Sequence, residues 1–482
     1  MKEQSGLKIS RKSFISSFTI LFCLMVFSGI LTKIIRPGTY RRLMVDGRES
    51  VVAGSFQYVN PVDYPFYKWF LAPIEVLKGS DSLTVIVIIL FILLIGSTFV
   101  VLDKSGILRF IMESIVRKFE HQKYLLMGIL ILFFMLFGSL FGIFEELIVL
   151  VPLAITLSYS FGWDSLVGLG ISAMASGFGF AAAIFNPFTL GVAQKLAELP
   201  AYSGTGYRIL IFIIIYLVLY AFLFFYARKI EKHPELSPVY DEDRSVRKKY
   251  VFETEHSILG NPKLKQSVKV YLIFMGIMVA TIMSGFFIEA ISEITLPLVA
   301  VIFFAAGITA GVISGYEPTA LIKDILKGLL TMLPAVVLIL MAMSIKQIMM
   351  NGRTMDTILY RASGMIGGLG PNVAVVFLYL LILFMDFFIG SGSAKAFLVM
   401  PIIIPLTDMI GVTRQTAVLA YCFGDGFSNL LFPTNPTLMI ALGLTVVSYP
   451  KWIKWSIKIQ LVIFVITTAM LFAANRVGFG PF

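Results

Sequence analysis

The sequence predicts an all-α polytopic membrane protein made of two inverted repeats, each holding a re-entrant helical hairpin and a broken helix. Three observations lead there. The chain has 482 residues, 58% hydrophobic and only 14% charged, which excludes a soluble class. Apolar runs long enough to span a bilayer recur along its length. One block also repeats at a fixed offset of 249 residues. Pro152 returns as Pro401, Leu157 as Leu406 and Gly162 as Gly411; Gly177-Phe178 returns as Gly426-Phe427, and Asn186-Pro187 as Asn435-Pro436. Duplicated Gly and Pro inside hydrophobic spans point to a secondary transporter that binds at the repeat interface.

In chain order, residues 1–81 give an N-terminal span (14–35) and an external loop. The basic start (Lys2, Lys8, Arg11, Lys12) has no small-residue cleavage site after the apolar run, so the span is read as retained. Residues 82–228 are the first repeat: a span at 82–101, a surface helix, a hairpin at 123–160, a broken span at 165–200 and a span at 207–228. The surface helix follows from an apolar stripe (Ile107, Leu108, Ile111, Met112, Ile115, Val116, Phe119) opposite Lys104, Arg109, Glu113, Arg117 and Lys118. Residues 229–267 are a basic linker, and 268–324 hold two further spans (268–288, 295–314). Residues 325–482 repeat the pattern: a span at 325–350, a surface helix within 352–369, a hairpin at 371–410, a broken span at 413–445 and a span at 452–475. Each hairpin is too long for one crossing, and its arms of 15–19 residues are short for two. Such tips are tolerated only when buried in protein or lining a polar cavity.

A net charge of +11 acts first as a topology signal. The basic residues crowded between Arg228 and Lys269 place that linker in the cytoplasm, and the N-terminus on the same side. Counting spans then brings the two hairpins in from opposite faces, and the C-terminus ends outside. The lipid bilayer is thus the first partner. No basic domain stands apart from the spans, so nucleic acid is not expected as another.

The broken spans carry the candidate chemistry. Proline removes its own N–H and frees the carbonyl four residues back: Pro187 that of Ala183, Pro433 that of Asn429, Pro436 that of Phe432. In GFGFAAAIFNPFT and GDGFSNLLFPTNPT, Gly177, Gly179, Asn186 and Asn435 ease unwinding. Freed carbonyls, with Ser428 and the carboxylate of Asp425, form the candidate ion-coupling set, in which Ala183 and Phe432 supply carbonyl oxygen. Half-helices after each Asn-Pro turn their positive ends toward an anion. The first hairpin tip, GSLFGIFEE, brings Glu145 and Glu146; the second, GSGSAKA, brings Lys395 at the position matching Glu146. An ionised group at this depth costs about 2.5–3.5 kcal/mol. Each needs a partner or a task. The glutamates either cap the second arm or face the cavity. Lys395 either pairs with Asp386 across the tip or receives a substrate carboxylate, leaving Asp425 for a cation or proton. Asp164 and Arg414, near span ends, read as interfacial anchors.

Several classes drop out. Cys23 and Cys422 both lie in apolar spans and make neither a disulfide framework nor a metal site. His121, His233 and His256 all sit in polar segments, which removes histidine-dependent intramembrane proteolysis. No GxxxxGK[ST] loop is present for an ATP-driven pump. The chain is not expected to be an enzyme or to hold a cofactor.

The segments FGIFEELIVLVPLAITLSYSFGWDSLVGLG, GFAAAIFNPFTLGVAQKLAELPAYSG and GSGSAKAFLVMPIIIPLTDMIGVTRQTAVLAYCFGDGFSNLLFPTNPTLMIALG closely resemble the YfcC branch of the C4-dicarboxylate anaerobic carrier (DcuC-like) family. The resemblance runs over nearly the whole chain. It implies membership of the ion-transporter superfamily, whose proteins work as elevators and are commonly homodimers: hairpins and broken helices slide against a scaffold. It also implies sodium and substrate contacts at Ser139, Gly142 and Asn186 in the first repeat, and at Ser391, Ser393, Asn429, Thr434, Asn435 and Thr437 in the second. The second break here reads PTNPT, where the branch often has a Ser-Gly pair. Solutes in the family span basic amino acids and C4-dicarboxylates.

The resulting expectation is a secondary active transporter, by symport or exchange, in a bacterial cytoplasmic membrane. Its solute is a small molecule bearing a carboxylate. Mixed acidic (Glu145, Glu146, Asp425) and basic (Lys395) groups favour an amino acid or short peptide over a C4-dicarboxylate. The carbonyl-rich breaks favour Na⁺ over H⁺ as coupling ion. A non-transporting receptor or scaffold on the same fold is the alternative from another class.

Overall fold

The computed structural model describes residues 11–45, 48–79, 82–247 and 257–480. Lys2, Lys8, His256 and part of the basic linker lie outside them. The helices are α1 (Arg11–Ile34), α2 (Tyr67–Glu75), α3 (Ser82–Lys104), α4 (Ile107–Phe119) and α5 (Lys123–Phe141). A 3-10 turn, Glu146–Leu150, leads into α6 (Val151–Ser160). Helices α7 (Ser165–Leu169) and α8 (Ala175–Ala182) are joined through a π turn, and a second π turn, Pro187–Gly191, leads into α9 (Val192–Leu196). After α10 (Thr205–Lys232) come α11 (Tyr240–Arg247), α12 (Pro262–Phe287) and α13 (Glu289–Ile313). The chain ends with α14 (Pro318–Asn351), α15 (Met355–Ile366), α16 (Pro371–Asp386), α17 (Gly392–Met409), α18 (Arg414–Ser428), α19 (Pro436–Gly443) and α20 (Tyr449–Arg476).

Ten described helices are long and apolar enough to cross a membrane, so this is a multi-pass membrane protein. The order of elements repeats: α3 to α10 return as α14 to α20, with α7 and α8 together matching the single α18, close to the offset read from the sequence. Local chemistry sets the boundaries. Asp164, Thr413 and Asn435 cap α7, α18 and α19 with their side-chain oxygens, and Pro436 stands in the first turn of α19, where its missing N–H costs nothing. Asn261 and Pro262 do the same for α12. Each hairpin joins one arm of spanning length (α5, α17) to a shorter one.

The helices sort into two groups. Helices α1–α3 pack with α12–α14, while α5–α10 pack with α16–α20. The groups meet where α14 lies on α19 and α13 lies on the turn after the first hairpin tip. Within the second group α8 and α18 cross closely. A Cβ on Gly177 would meet the Leu430 side chain, one on Gly426 would meet Ala181, and Phe178 sets its ring edge-on to Phe427 at 5.4 Å. Numbers rise on one chain as they fall on the other, so the pair is antiparallel. Gln194 lies 3.4 Å from Gln415 and extends that pattern outward. The contacts are also reciprocal under the 249-residue offset, since 177 and 181 map to 426 and 430.

The segment 38–58 departs from an all-α expectation. β1 (Gly38–Thr39) pairs with β4 (Gln57–Tyr58), and β2 (Arg42–Val45) with β3 (Arg48–Val51), all antiparallel with Arg42 opposite Val51. Asp356 of α15 holds this unit by accepting from the Tyr40 N–H and from Arg42 Nη2, at 2.9 Å each.

Asp164 is no interfacial anchor. Its side chain is buried and accepts from Tyr226 (2.6 Å), Ser237 (2.7 Å) and the Val167 N–H. Beside it, Asp243 of the linker helix α11 accepts from the Ser165 N–H, the Ser165 hydroxyl and Tyr159 Oη. Next door, Lys451 of α20 binds both oxygens of Glu242 at 2.6 Å. Thus α11 bridges the two repeats at one end of the molecule. Burial, then the charge of Asp164, pushes the Asp243 carboxyl up to about 7 against the hydrogen bonds it accepts. A carboxyl raised on folding contributes stability below its unfolded pKa of about 4, and loses it as pH rises toward the folded value. Amide hydrogen exchange of 240–247, corrected for intrinsic rate, is therefore expected to be slower at pH 5.5 than at pH 8. Asp243→Asn should remove most of that difference.

Candidate functional site

Both hairpin tips and both helix breaks gather in one place. The first tip is made by Gly142 in left-handed conformation (φ 66°), after α5 ends. A Cβ there would fall 2.3 Å from Asn186 Oδ1. The first break spans 183–186. Ala183 is left-handed at φ 44°, which a side-chain-bearing residue rarely adopts. Ser139 of α5 holds the break: its hydroxyl accepts from the Ile184 N–H at 3.0 Å and its carbonyl from the Phe185 N–H at 3.1 Å. Asn186 then restarts the helix by accepting from the N–H groups of Phe188 and Thr189. The second break spans 429–435, where Asn435 Nδ2 donates to Asn429 Oδ1 at 2.6 Å and Asn435 Oδ1 accepts from the Leu438 N–H.

Each tip also reaches the other repeat's break. Thr437 Oγ1, just past the second break, lies 3.4 Å from Glu145 Oε1 on the first tip. A Cβ on Gly392, at the second tip, would lie 2.6 Å from Thr189 Cγ2, just past the first break. Glu145 is exposed, as are Gly390 and Ser391 of the second tip. Neither Glu145 nor Glu146 caps the second arm with its side chain. Ser391 caps α17 through the Ala394 N–H, while Ser393 is buried.

Lys395 departs from a substrate-facing role. It is fully buried, its ammonium bonding to the Asp386 carboxylate and to Asp425 Oδ1 at 2.8 Å. Asp386, which the sequence pairs with Lys395, is joined by Asp425 of α18, thirty residues beyond Lys395. The second oxygens of both aspartates are buried and carry no hydrogen bond among the described residues.

Several expected cation ligands are otherwise engaged. The Phe432 carbonyl accepts from the Asn435 N–H, and the Ser428 hydroxyl turns back onto the carbonyls of Gly424 and Asp425. Gly177 and Gly179 lie inside α8 and serve close packing; a Cβ on Gly179 would sit 2.0 Å from the Met135 carbonyl oxygen. Thr434 is half-buried with an unpartnered hydroxyl. Arg208, absent from the sequence-derived candidates, is fully buried near this cluster.

The C4-dicarboxylate anaerobic carrier family matches residues 14–476. YfcC of Escherichia coli K12, described as a candidate basic amino acid antiporter, is 30% identical over 417 residues, covering 83% of this chain and 80% of YfcC. An uncharacterized protein of Haemophilus influenzae is 23% identical over 92% of this chain and 93% of its own. Among solved structures, the YdaH transporter of Alcanivorax borkumensis gives a TM-score of 0.42 at 17% identity, covering 97% of this chain and 100% of that one. MtrF of Neisseria gonorrhoeae gives 0.43 at 15%, covering 94% of each. By its sequence match the chain belongs to the C4-dicarboxylate anaerobic carrier family, a family of secondary transporters rather than enzymes.

Proposed function

We propose that the chain moves a small carboxylate-bearing solute, an amino acid or short peptide ahead of a C4-dicarboxylate, by alternating access driven by protons. The observation that carries this reading is the crossed meeting of tips and breaks, Glu145 with Thr437 and Gly392 with Thr189. Two hairpin tips meeting two helix breaks are the arrangement in which a carrier binds its solute between repeats. The accessible carboxylate of Glu145 suits an ammonium group, which favours an amino acid, and YfcC's description as a basic amino acid antiporter agrees. The antiparallel, reciprocal crossing of α8 and α18 supports inverted repeats, and the sorting of helices into two groups suits an elevator sliding on a scaffold. Homodimeric assembly in a bacterial cytoplasmic membrane, N-terminus inside, belongs to the same proposal.

Proton coupling takes the place of the sodium favoured by sequence. At Asp425 the Lys395 ammonium already occupies the position a cation would take. One ammonium between two carboxylates leaves a net negative charge, which one proton on a free oxygen neutralises.

Proteoliposome counterflow tests the function. Preloaded L-lysine or succinate is expected to exchange with labelled external solute, and an inside-alkaline gradient to drive accumulation without sodium. Binding without exchange would make the protein a receptor; strict sodium dependence would overturn the proton step. Glu145→Gln is expected to lower lysine counterflow at least tenfold while leaving thermal unfolding nearly unchanged.

A further inference from the structure

Arg208 is the most anomalous side chain in the described fold. It sits in the first turn of α10, is 0% exposed, and none of its three guanidinium nitrogens has a hydrogen-bond acceptor among the described residues. A guanidinium stays charged in a protein, so it cannot escape by losing a proton. Taking such a charge out of water without a counter-ion is strongly unfavourable. Its place at a helix N-terminus adds repulsion from the backbone dipoles.

Its surroundings lead to the tips and breaks. Its polar neighbour is the buried thiol of Cys422 on α18, a weak acceptor. Cys422 stands beside Thr189, whose buried hydroxyl has no oxygen or nitrogen partner among the described residues. Thr189 and Asp425 both stand against the second tip at Gly392, where an added Cβ would lie 2.6 Å from each. The nearby carboxylates are committed elsewhere: Asp425 and Asp386 to Lys395, Glu198 to Arg414. A guanidinium with no carboxylate partner thus lies, through Cys422, beside Thr189 just past the first break.

We propose that Arg208, with Thr189, is the receptor for the carboxylate of the transported solute. The proposal rests on the reading of the chain as a carrier of carboxylate-bearing solutes, and deepens it by naming the anchoring group. The planar fork of Arg208 takes the two carboxylate oxygens side by side, and the Thr189 hydroxyl donates to one of them. Lys395, assigned this task by sequence, keeps the coupling carboxylates instead.

The test uses full-length protein in detergent, with L-lysine against L-lysinamide and succinate against succinamide. Wild-type unfolding is expected to shift upward with at least one free acid and not with its amide. Arg208→Gln should weaken binding of that acid by about 10- to 100-fold. Without ligand, the same variant should unfold at a higher temperature than wild type, because an uncompensated charge has been removed. A variant that unfolds lower, or that keeps wild-type affinity, overturns the proposal. Should Arg208→Gln fail to fold, Arg208→Lys, which keeps the charge but loses the fork, is expected to lose about tenfold in affinity for the acid, and unchanged affinity would overturn the proposal. Wild-type protein that ignores both acids yet exchanges another solute in counterflow overturns the carboxylate reading itself. Intact carboxylate transport with an unchanged KM in Arg208→Gln overturns only the role of Arg208.

Discussion

Lys395→Met is expected to destabilise the protein by about 3–5 kcal/mol, the usual cost of removing one partner from a buried ion pair. The loss arises because Asp386 and Asp425 would face one another with no cation between them. Thermal unfolding in detergent reads it directly. Converting all three residues, as Lys395→Met with Asp386→Asn and Asp425→Asn, should restore most of the stability, since a neutral set of similar volume replaces the ions. Asp425→Asn alone separates fold from coupling. It leaves Lys395 balanced by Asp386, so unfolding should change little and counterflow persist, while gradient-driven accumulation falls to the equilibrium level. A Lys395→Met protein as stable as wild type would mean that the three groups are not a charged unit.

Gly179→Ala is the second large effect. Its new methyl would fall 2.0 Å from the Met135 carbonyl oxygen and 2.6 Å from Met135 Cα, both backbone atoms of α5 that no rotamer change can move. Overpacking ordinarily costs about 1–3 kcal/mol, and a rigid backbone contact belongs at or above the top of that range. The hairpin arm would be levered off α8, together with the Ser139 contacts that shape the first break. Folded yield and unfolding temperature should both fall sharply. Gly206→Ala, in the first turn of α10, is the control: nothing lies within 4 Å of that position, so stability should change little. A tolerated Gly179→Ala would mean that α5 and α8 are not locked together.

Much of this architecture was legible in the sequence because its signals are local and repeated. The apolar stripe from Ile107 to Phe119 coincides with α4. The Asn-Pro pairs at 186 and 435 mark where both broken helices restart, because Asn caps and Pro tolerates a first turn. The strands at 38–58 escaped notice because two- to four-residue ladders leave too little alternation to read. Asp164 looked like an anchor because its partners, Tyr226 and Ser237, are more than sixty residues away. Asp425 joins Lys395 for a similar reason: only folding brings α18 against the second tip. Arg208 stood at the start of an apolar run, where a basic residue ordinarily reaches for the interface. One hint was available, since the topology put that arginine on the side where positive charge is usually scarce.

The crossing of α8 and α18 also carries an evolutionary consequence. Gly177 meets Leu430 and Gly426 meets Ala181, two copies of one contact in which a small residue admits a neighbour. Enlarging Gly177 therefore demands a smaller residue than Leu430 opposite, whereas at Gly426 an added side chain meets the backbone of Ala181, which no substitution there removes. Among relatives, positions 177 and 430 should covary, while 426 should stay glycine. The tie between the two halves of the chain at this crossing therefore limits how far either can change alone.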